Sequence, residues 1–218
     1  MLISVRTPAG VESLDLVPSK IIGIGVNYRE HAREMGKALP DEPLMFMKPR
    51  SAMLPHEGEI ERPAGYERVD FEGELGVVMG QVARRVSVDE ALGTVLGYVC
   101  INDVTVRDLQ KKDVQFTRAK GFDTFCPIGP QIVTGLDPRA LRICTRVNGA
   151  VRQDSSTADL IFDVATLVSF VSHHMTLVPG DVISTGTPSG VGNLAPGDVV
   201  EVEIEHIGVL RNRVVARR

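Results

Sequence analysis

Residues 69–80 read Val-Asp-Phe-Glu-Gly-Glu-Leu-Gly-Val-Val-Met-Gly, and this stretch organises the rest of the chain. Its second half is apolar and predicts a buried strand. Glu72 and Glu74 are two residues apart, so in an extended strand both carboxylates point to the same side of the sheet. Two close like charges repel unless a cation lies between them, water solvates them or one is protonated. The stretch therefore fits a metal site, and it equally fits a solvated strand start.

The composition predicts one β-rich domain. The chain has 218 residues, 43% of them hydrophobic and 24% charged, which is enough to bury a full core. Its 21 glycines and 13 prolines lie among many Val and Ile residues, a pattern typical of strands joined by tight turns. We expect a single domain over residues 1–218, in which residues 1–20 form a short lead-in.

Several function classes are disfavoured by the charge pattern and the motifs. A net charge of −4 and a pI near 5.8 provide no basic stripe for nucleic acid. The sequence has neither a membrane-spanning apolar run nor a signal region, so we expect a cytoplasmic protein without a membrane partner. The three cysteines are odd in number and widely spaced, which predicts packing roles rather than disulfides or zinc ligation. The Gly23-Ile24-Gly25 sequence fails as a dinucleotide loop because Tyr28 stands where the third glycine is needed.

A short helix follows the predicted strand at residues 21–26. Asn27 is a candidate N-cap, a glutamate three residues later completes a capping box, and Gly36 is a candidate stop, which predicts a helix over residues 28–35. His31 and Glu34 are then three residues apart on one face, where the carboxylate can hold the imidazole and raise its basicity. The alternative is a solvated surface helix with mixed charges.

A second polar group follows the apolar strand predicted for residues 95–101. Residues 104–110 have helical spacing, which places Asp103, Arg107 and Gln110 on one face. Asp103 is either a helix N-cap or a ligand presented at a strand end. Lys120 lies among apolar, Gly and Pro residues, and it is either functional or a side chain whose charge reaches solvent.

Two Pro-Gly-Asp turns precede the last strands, and a Gly-rich loop lies between them at residues 185–192. Its amides could hold an anion. It lacks the Gly-Lys-Ser/Thr ending of a nucleotide-binding loop, so we expect it to hold a carboxylate. The alternating Glu201, Glu203 and Glu205 predict a solvated sheet face.

Six motifs occur in an order that resembles the fumarylacetoacetate hydrolase family. They are Asn27-Tyr28-x-x-His31-x-x-Glu34, Phe46-Met47-Lys48-Pro49, Asp70-Phe71-Glu72-Gly73-Glu74-Leu75, Asn102-Asp103-Val104-Thr105-x-Arg107-Asp108-x-Gln110, Ala119-Lys120-Gly121-Phe122-Asp123 and Thr185-Gly186-Thr187-Pro188-x-Gly190-Val191-Gly192. The resemblance runs from about Ile21 to the C-terminus. It implies a mainly β fold with short helices (α+β), a mixed β-sandwich or β-roll, that works as a homodimer on β-diketo or enolic 2-oxo acids.

The resemblance also implies a role for each candidate residue. The expected roles are metal ligation by Glu72, Glu74 and Asp103, water activation by His31 with Glu34, contact with substrate oxygens by Lys120, and substrate binding by Arg107, Gln110, Thr187 and Tyr28. All-oxygen ligation favours Mg²⁺, with Mn²⁺ or Ca²⁺ possible, over Zn²⁺. We expect the dyad of His31 and Glu34 to reach the metal fully only when residues 36–43 close over substrate.

The expected activity is metal-dependent hydrolysis of a carbon–carbon bond, by which an acylpyruvate gives pyruvate and a carboxylic acid. Two alternatives within the same enzyme class are decarboxylation of oxaloacetate and isomerisation of a hydroxymuconate or 2-hydroxyhepta-2,4-diene-1,7-dioate. A different alternative is a non-catalytic domain that keeps the fold as a binding or assembly module.

Overall fold

The computed structural model describes residues 1–36 and 38–217. Lys37, which belongs to the segment predicted to close over substrate, and Arg218 lie outside the described residues. The strands in chain order are β1 (Leu2–Thr7), β2 (Gly10–Asp15), β3 (Ile21–Gly25), β4 (Leu44–Lys48), β5 (Met53–Pro55), β6 (Glu59–Arg62), β7 (Val69–Phe71), β8 (Gly73–Met79), β9 (Val95–Asn102), β10 (Thr105–Val106), β11 (Cys126–Ile128), β12 (Gln131–Val133), β13 (Arg142–Val147), β14 (Ala150–Ser156), β15 (Val182–Ser184), β16 (Gly192–Asn193), β17 (Val199–Ile204) and β18 (Gly208–Ala216). The helices are α1 (Arg29–Glu34), α2 (Val88–Ala91), α3 (Arg107–Lys112), α4 (Thr117–Lys120) and α5 (Val164–His174).

These strands form three sheets. The largest has ten strands: eight in the order β2-β1-β12-β9-β8-β15-β3-β4, with β11 also paired to β9 and β5 paired to β11. A five-stranded sheet has the order β14-β13-β17-β18-β6, and a three-stranded sheet has the order β10-β7-β16. The mainly β fold with short helices that the sequence predicted is confirmed. No helix of the described residues is long and apolar enough to cross a membrane.

Strand β8 lies in the middle of the large sheet, and it is buried because a hydrophobic core packs against each of its faces. Leu75 and Val77 share a core with Leu167 of α5 and Val202 of β17, whereas Val78 contributes to a separate core on the opposite face. Neighbouring residues of a strand face opposite sides, so a strand covered on both sides is continuously apolar. The predicted buried strand is therefore confirmed, and it carries the acidic residues at its beginning.

Other predicted elements also form. The hairpin at Asn148-Gly149 joins β13 to β14, and α5 occupies the segment predicted as the longest helix. Ser87 begins α2 with the predicted capping box. The cysteines are buried and unpaired, as expected. In β17, Glu201 and Glu203 are half-buried and alternate with buried residues.

Two helix starts differ from the prediction. Helix α1 begins at Arg29 without a side-chain cap, because the Asn27 side chain is buried and bonds to the backbone of Phe162 and Thr185. The helix predicted from residue 104 begins only at Arg107, since β10 first pairs with β7. Asp103 is thus neither an N-cap nor a helical residue, and of the predicted helix face only Arg107 and Gln110 lie on α3.

Candidate metal centre and active site

The three predicted metal ligands meet where β8 pairs with β9. The two strands are antiparallel with Gly73 opposite Asn102, and the Asp103 N–H donates to the Glu72 carbonyl oxygen at 2.8 Å. Asp103 therefore lies directly across from Glu72, just beyond the end of β9. Glu74 follows at the second residue of β8. The sheet ladder brings together carboxylates that are far apart in sequence.

These carboxylates fit a hard divalent cation. Glu72, Glu74 and Asp103 are buried, and each offers an oxygen that lies within 4.8 Å of the other two. Bond lengths of about 2.0–2.6 Å place oxygens that share one hard cation roughly 3–5 Å apart. An all-oxygen donor set suits Mg²⁺, Mn²⁺ or Ca²⁺. Both the spacing and the chemistry of the donor set therefore match such an ion.

Buried cations surround the carboxylates. Lys120 Nζ donates to Asp103 Oδ2 at 2.5 Å and to Glu72 Oε2 at 2.7 Å. Lys48 Nζ donates to Asp103 Oδ1 at 2.5 Å, and Arg107 donates to Glu72. Burial alone would lower the pKa of Lys120, but Asp103 and Glu72 raise it, so the ammonium is charged at neutral pH. An unpaired buried ion costs several kcal/mol. The carboxylates can therefore be buried here only because these ion pairs compensate their charge.

Glu72 and Glu74 have opposite pKa shifts. Burial by itself raises the pKa of Glu72, but the charges of Arg107 and Lys120 outweigh burial and hold this pKa below its usual range. Burial, together with repulsion from Asp103 and Glu72, raises the pKa of Glu74 to about 8. At neutral pH Glu74 therefore holds a proton, which a bound cation would displace.

The predicted dyad forms on α1. His31 is 4% exposed, and its Nδ1 lies 3.1 Å from Glu34 Oε2. The Gly190 N–H also donates to the Glu34 carboxylate at 3.3 Å. Because Nδ1 is engaged, Nε2 is the ring nitrogen left to exchange a proton. His31 lines the cavity beside Glu72 and Glu74, and the closure of residues 36–43 over substrate stays a prediction.

Most of the predicted site residues line one cavity of about 30 Å³, which is large enough to hold a water molecule. Those lining it are His31, Glu72, Glu74, Arg107, Gln110, Lys120 and Thr187. Asp103 lies behind Lys120, which it binds, and Glu34 lies behind His31. Positive and negative groups thus converge on a small buried space.

Arg107 is held from several sides. Its Nε donates to Asp70 Oδ2 at 2.8 Å, its Nη1 donates to Gln110 Oε1 at 2.7 Å, and its Nη2 donates to Glu72. The guanidinium therefore fixes its neighbours as well as facing the cavity. Since the Gln110 carbonyl is occupied, its amide NH₂ is the group left to meet a ligand.

Two predicted substrate-binding residues differ in their surroundings. The Thr187 hydroxyl donates to the Gly73 carbonyl and accepts from Gln153, so it cannot also donate to a substrate carboxylate. Tyr28 is 1% exposed, packs in the core, and is not among the residues that line the cavity. Burial, then the charge of Glu74, raises the pKa of Tyr28. Tyr28 thus lies outside this cavity, its hydroxyl has no hydrogen-bond partner among the described residues, and its contact with substrate stays a prediction.

The Gly-rich loop binds the protein's own carboxylates. The Gly186 N–H donates to Glu74 Oε2 at 2.8 Å, beside the Ser184 hydroxyl at 2.6 Å. Gly186 has φ +99°, and an added Cβ would lie 2.8 Å from the Asn27 Cβ, so only glycine fits this turn. The loop was expected to hold a carboxylate, and in the structure those carboxylates belong to Glu74 and Glu34.

Several contributors to the site carried only weak signals in the sequence. Lys48 is fully buried and binds Asp103, and Thr105 accepts from Lys120 at 2.7 Å. The Asp70 carboxylate forms ion pairs with both Arg107 and Arg68. A lysine that ends the apolar strand at residues 44–48 was the available signal for Lys48. The other contacts depend on strand pairing that periodicity does not reveal.

The sequence of this chain matches one protein family over most of its length. Residues 20–215 match the family model described as fumarylacetoacetate (FAA) hydrolase, C-terminal. A 2,4-didehydro-3-deoxy-L-rhamnonate hydrolase of Sphingomonas sp. is 45% identical over 207 residues, which cover 89% of this chain and 73% of that protein.

Two solved structures share the fold over nearly their whole length. The 5-carboxymethyl-2-hydroxymuconate delta-isomerase of Mycobacterium smegmatis has a TM-score of 0.89 and 41% identity, covering 100% of this chain and 99% of that one. The fumarylpyruvate hydrolase of Pseudomonas aeruginosa, in complex with Mn²⁺ and pyruvate, has a TM-score of 0.88 and 31% identity. The match covers 99% of this chain and 96% of that one. This chain therefore belongs to the fumarylacetoacetate hydrolase family of enzymes.

Proposed function

We propose that this protein hydrolyses a carbon–carbon bond in a β-diketo 2-oxo acid, releasing pyruvate and a carboxylic acid from an acylpyruvate. The observation that carries the proposal is a cavity lined by Glu72, Glu74, Lys120 and His31. Asp103, the third buried carboxylate, binds Lys120 directly behind this lining, and Glu34 binds His31. A binding module would gain nothing from burying so many charges, since each costs several kcal/mol to desolvate.

Glu72, Glu74 and Asp103 would hold one divalent cation. Mg²⁺ is the first choice, with Mn²⁺ or Ca²⁺ as alternatives, because every donor is a carboxylate oxygen. A similar hydrolase has been solved with Mn²⁺ and pyruvate. When bound, the cation would polarise the keto group of the 2-oxo acid.

The residues of the chain would position and activate the reactants. His31 Nε2 takes a proton from water while Glu34 holds Nδ1 and stabilises the imidazolium. Lys120, whose three N–H groups bind Asp103, Glu72 and Thr105, exchanges one of these partners for a substrate oxygen that gains negative charge. Arg107 orients the Gln110 amide toward the substrate carboxylate.

The reaction balances as a hydrolysis. The water oxygen forms a bond to C4, the acyl carbonyl, and the bond between C3 and C4 breaks. The electron pair stays on C3, which is protonated by the proton that His31 took from water. The new carboxylic acid ionises and releases the second water proton to solvent, so the products are the carboxylate of the acyl group and pyruvate, with no oxidant or reductant consumed.

Isomerisation is the second candidate, because an isomerase shares 41% identity over the full chain. That reaction moves a proton within a dienoate and needs no attacking water. The two candidates differ in their products, since only hydrolysis yields two shorter acids.

The test is a product analysis of the purified protein with Mg²⁺. An acylpyruvate, oxaloacetate and a hydroxymuconate are supplied separately, and products are separated by chromatography. Release of pyruvate and the matching acid from the acylpyruvate supports the proposal. Turnover of the hydroxymuconate alone, with the carbon skeleton intact, would contradict it in favour of isomerisation.

A further inference from the structure

We propose that Gln153 is a positioning residue, which fixes the carboxylate cluster and the pair of His31 and Glu34 relative to each other. This inference rests on the proposed function, since it assigns a role in the same reaction. Gln153 belongs to β14 of the five-stranded sheet and is 1% exposed. It is not among the described residues that line the active-site cavity. Its influence on the reaction must therefore act through its hydrogen bonds.

A β-bulge turns Gln153 toward the site. Thr145 of β13 is opposite Gln153, whereas the next residue, Arg146, is opposite Val151, so β14 has one extra residue at Arg152. Residues 150–152 are exposed, and Gln153 is buried. Bulges commonly redirect a side chain in this way. The Gln153 carboxamide thus points to β8 of the large sheet instead of solvent.

The Gln153 carboxamide joins β8 to the Gly-rich loop. Its Oε1 accepts from the Gly73 N–H at 3.1 Å. Its Nε2 donates to Thr187 Oγ1 and to the Pro188 carbonyl oxygen, each at 2.8 Å. The Thr187 hydroxyl closes the ring by donating to the Gly73 carbonyl oxygen at 2.9 Å. Both N–H groups and the carbonyl of the carboxamide are therefore engaged, and a hydrocarbon side chain could form none of these bonds.

The two segments that this carboxamide joins hold different parts of the site. Gly73 lies between the two glutamates of the carboxylate cluster. From the loop, the Gly186 N–H donates to Glu74 at 2.8 Å. Four residues later, the Gly190 N–H donates to Glu34 at 3.3 Å. The anchored residues lie between these two N–H groups, so a displacement of the loop would move both of them.

The backbone of β14 also supports the loop. Gly190 has φ +95°, and an added Cβ would lie 2.1 Å from the Arg152 carbonyl oxygen. The bulged residue thus packs directly against the loop residue that binds Glu34. The following residue, Gln153, anchors the middle of the same loop.

Hydrolysis requires that the two parts of the site be correctly spaced. The carboxylate cluster would hold the keto acid through its cation, while His31 must deliver water to the acyl carbonyl carbon. A displacement of about 1 Å between reacting groups can lower a rate about 100-fold. Substrate binding depends mainly on the carboxylate cluster, so misplacement of His31 should lower kcat and leave KM nearly unchanged.

Gln153→Met tests the inference, because methionine has a similar shape and forms none of these hydrogen bonds. With acetylpyruvate at saturating Mg²⁺, we expect kcat to fall about tenfold and KM to change by less than about twofold. Titration calorimetry should show Mg²⁺ binding weakened about tenfold, as when other groups that orient metal ligands are removed. The ¹⁵N resonance of His31 Nδ1, identified by its loss in His31→Ala, should shift.

Thr145→Val is the matched control. Thr145 is opposite Gln153, is equally buried, and also lies against Gly73. Within the described residues, however, its hydroxyl has no hydrogen-bond partner. Valine keeps the shape and removes no hydrogen bond, so kcat, Mg²⁺ affinity and the His31 resonance should be unchanged.

Gln153→Asn is a second variant, whose amide is one carbon too short to reach both segments. It should change kcat, Mg²⁺ affinity and the His31 resonance in the same direction as Gln153→Met. Urea denaturation establishes that each variant is folded under the assay conditions, so that loss of fold is not mistaken for loss of positioning.

The outcomes separate this inference from the proposed function. Folded Gln153 variants that match the wild type in Mg²⁺ affinity and in the His31 resonance, or equal changes in Thr145→Val, would overturn the inference and leave hydrolysis unaffected. A change in only one part of the site would also contradict it, because Gln153 is inferred to join the two. Changes in both parts, without turnover of acetylpyruvate by the wild type, would support the inference and overturn the proposed hydrolysis.

Discussion

Glu72 and Glu74 are separated by one glycine, yet their surroundings give them opposite acidities. Glu72 faces Arg107 and Lys120, whereas Glu74 is bonded to the neutral Ser184 hydroxyl and a loop N–H. The first carboxylate is thus ionised by its protein partners alone. The Glu74 carboxyl group, whose pKa is raised to about 8, is fully ionised only in alkaline solution or when a bound cation displaces its proton.

This difference predicts how metal binding depends on pH. Between the ordinary glutamate pKa of 4.5 and about 8, the unfolded residue is ionised while native Glu74 is protonated. The native state then binds more protons, so Glu74 makes the stability of the metal-free protein fall as pH rises through this window. Because the cation binds the ionised form, Mg²⁺ affinity should rise by up to about tenfold per pH unit up to pH 8.

Calorimetric titration of Mg²⁺ in buffers of differing ionisation enthalpy measures both the affinity and the protons released. We expect close to one proton released per ion at pH 6.5 and few at pH 9. Glu59→Gln, a change at an exposed acid remote from the site, should leave this profile unaltered. A Mg²⁺ affinity that does not change between these pH values would contradict the assignment of Glu74.

His31 is predicted to act on water rather than on the metal. His31→Ala should lower acylpyruvate hydrolysis by roughly 10²–10⁴-fold, the range for a positioned general base. Metal affinity should remain nearly unchanged, and decarboxylation of oxaloacetate, which needs no water, should suffer less. Steady-state kinetics and Mg²⁺ titration measure these effects, with the exposed His174→Ala as control. Loss of the metal in the His31 variant would show that this division of roles is wrong.

At the level of elements, the site depends on the junction between β7 and β8. Gly73 lies there with the Thr145 side chain of the neighbouring sheet directly against it, and a Cβ at position 73 would lie 2.1 Å from Thr145 Oγ1. The glycine therefore lets the five-stranded sheet pack closely behind the two glutamates.

Gly73→Ala should destabilise the protein by about 1–3 kcal/mol, the usual cost of overpacking a core. The matched control is Gly93→Ala, since nothing lies within 4 Å of a Cβ added there and its φ is not left-handed. Urea denaturation of both variants measures the difference. If Gly73→Ala is as stable as Gly93→Ala, the close packing of the sheets at this junction is not what fixes the glutamates.

The sequence predicted elements where local pattern decides the structure. The apolar run from Leu75, the capping box at Ser87 and the hairpin at Asn148 all follow from neighbouring residues. Prediction failed where distant strands decide the outcome. Asn27 resembles a cap, but it bridges two remote segments, and residue 105 has helical spacing but joins β7. The ion pairs of the site were missed for the same reason.

The whole molecule is proposed to be a homodimer with one active site in each subunit. Strand β4 ends the large sheet, and it exposes Leu44 and Met47 at that edge. Two-fold pairing is the commonest way in which soluble proteins cover such surfaces. Light scattering at micromolar concentration should give twice the chain mass of 23.7 kDa. A mass equal to that of one chain would refute the dimer.

Three buried carboxylates are proposed to make this family member a metal-dependent hydrolase. The most direct measurement is pyruvate release from an acylpyruvate before EDTA treatment, after exhaustive EDTA treatment and dialysis, and after Mg²⁺ or Mn²⁺ is returned. We predict that EDTA abolishes release and that either ion restores it. Release at an undiminished rate by the fully chelated protein would contradict the account.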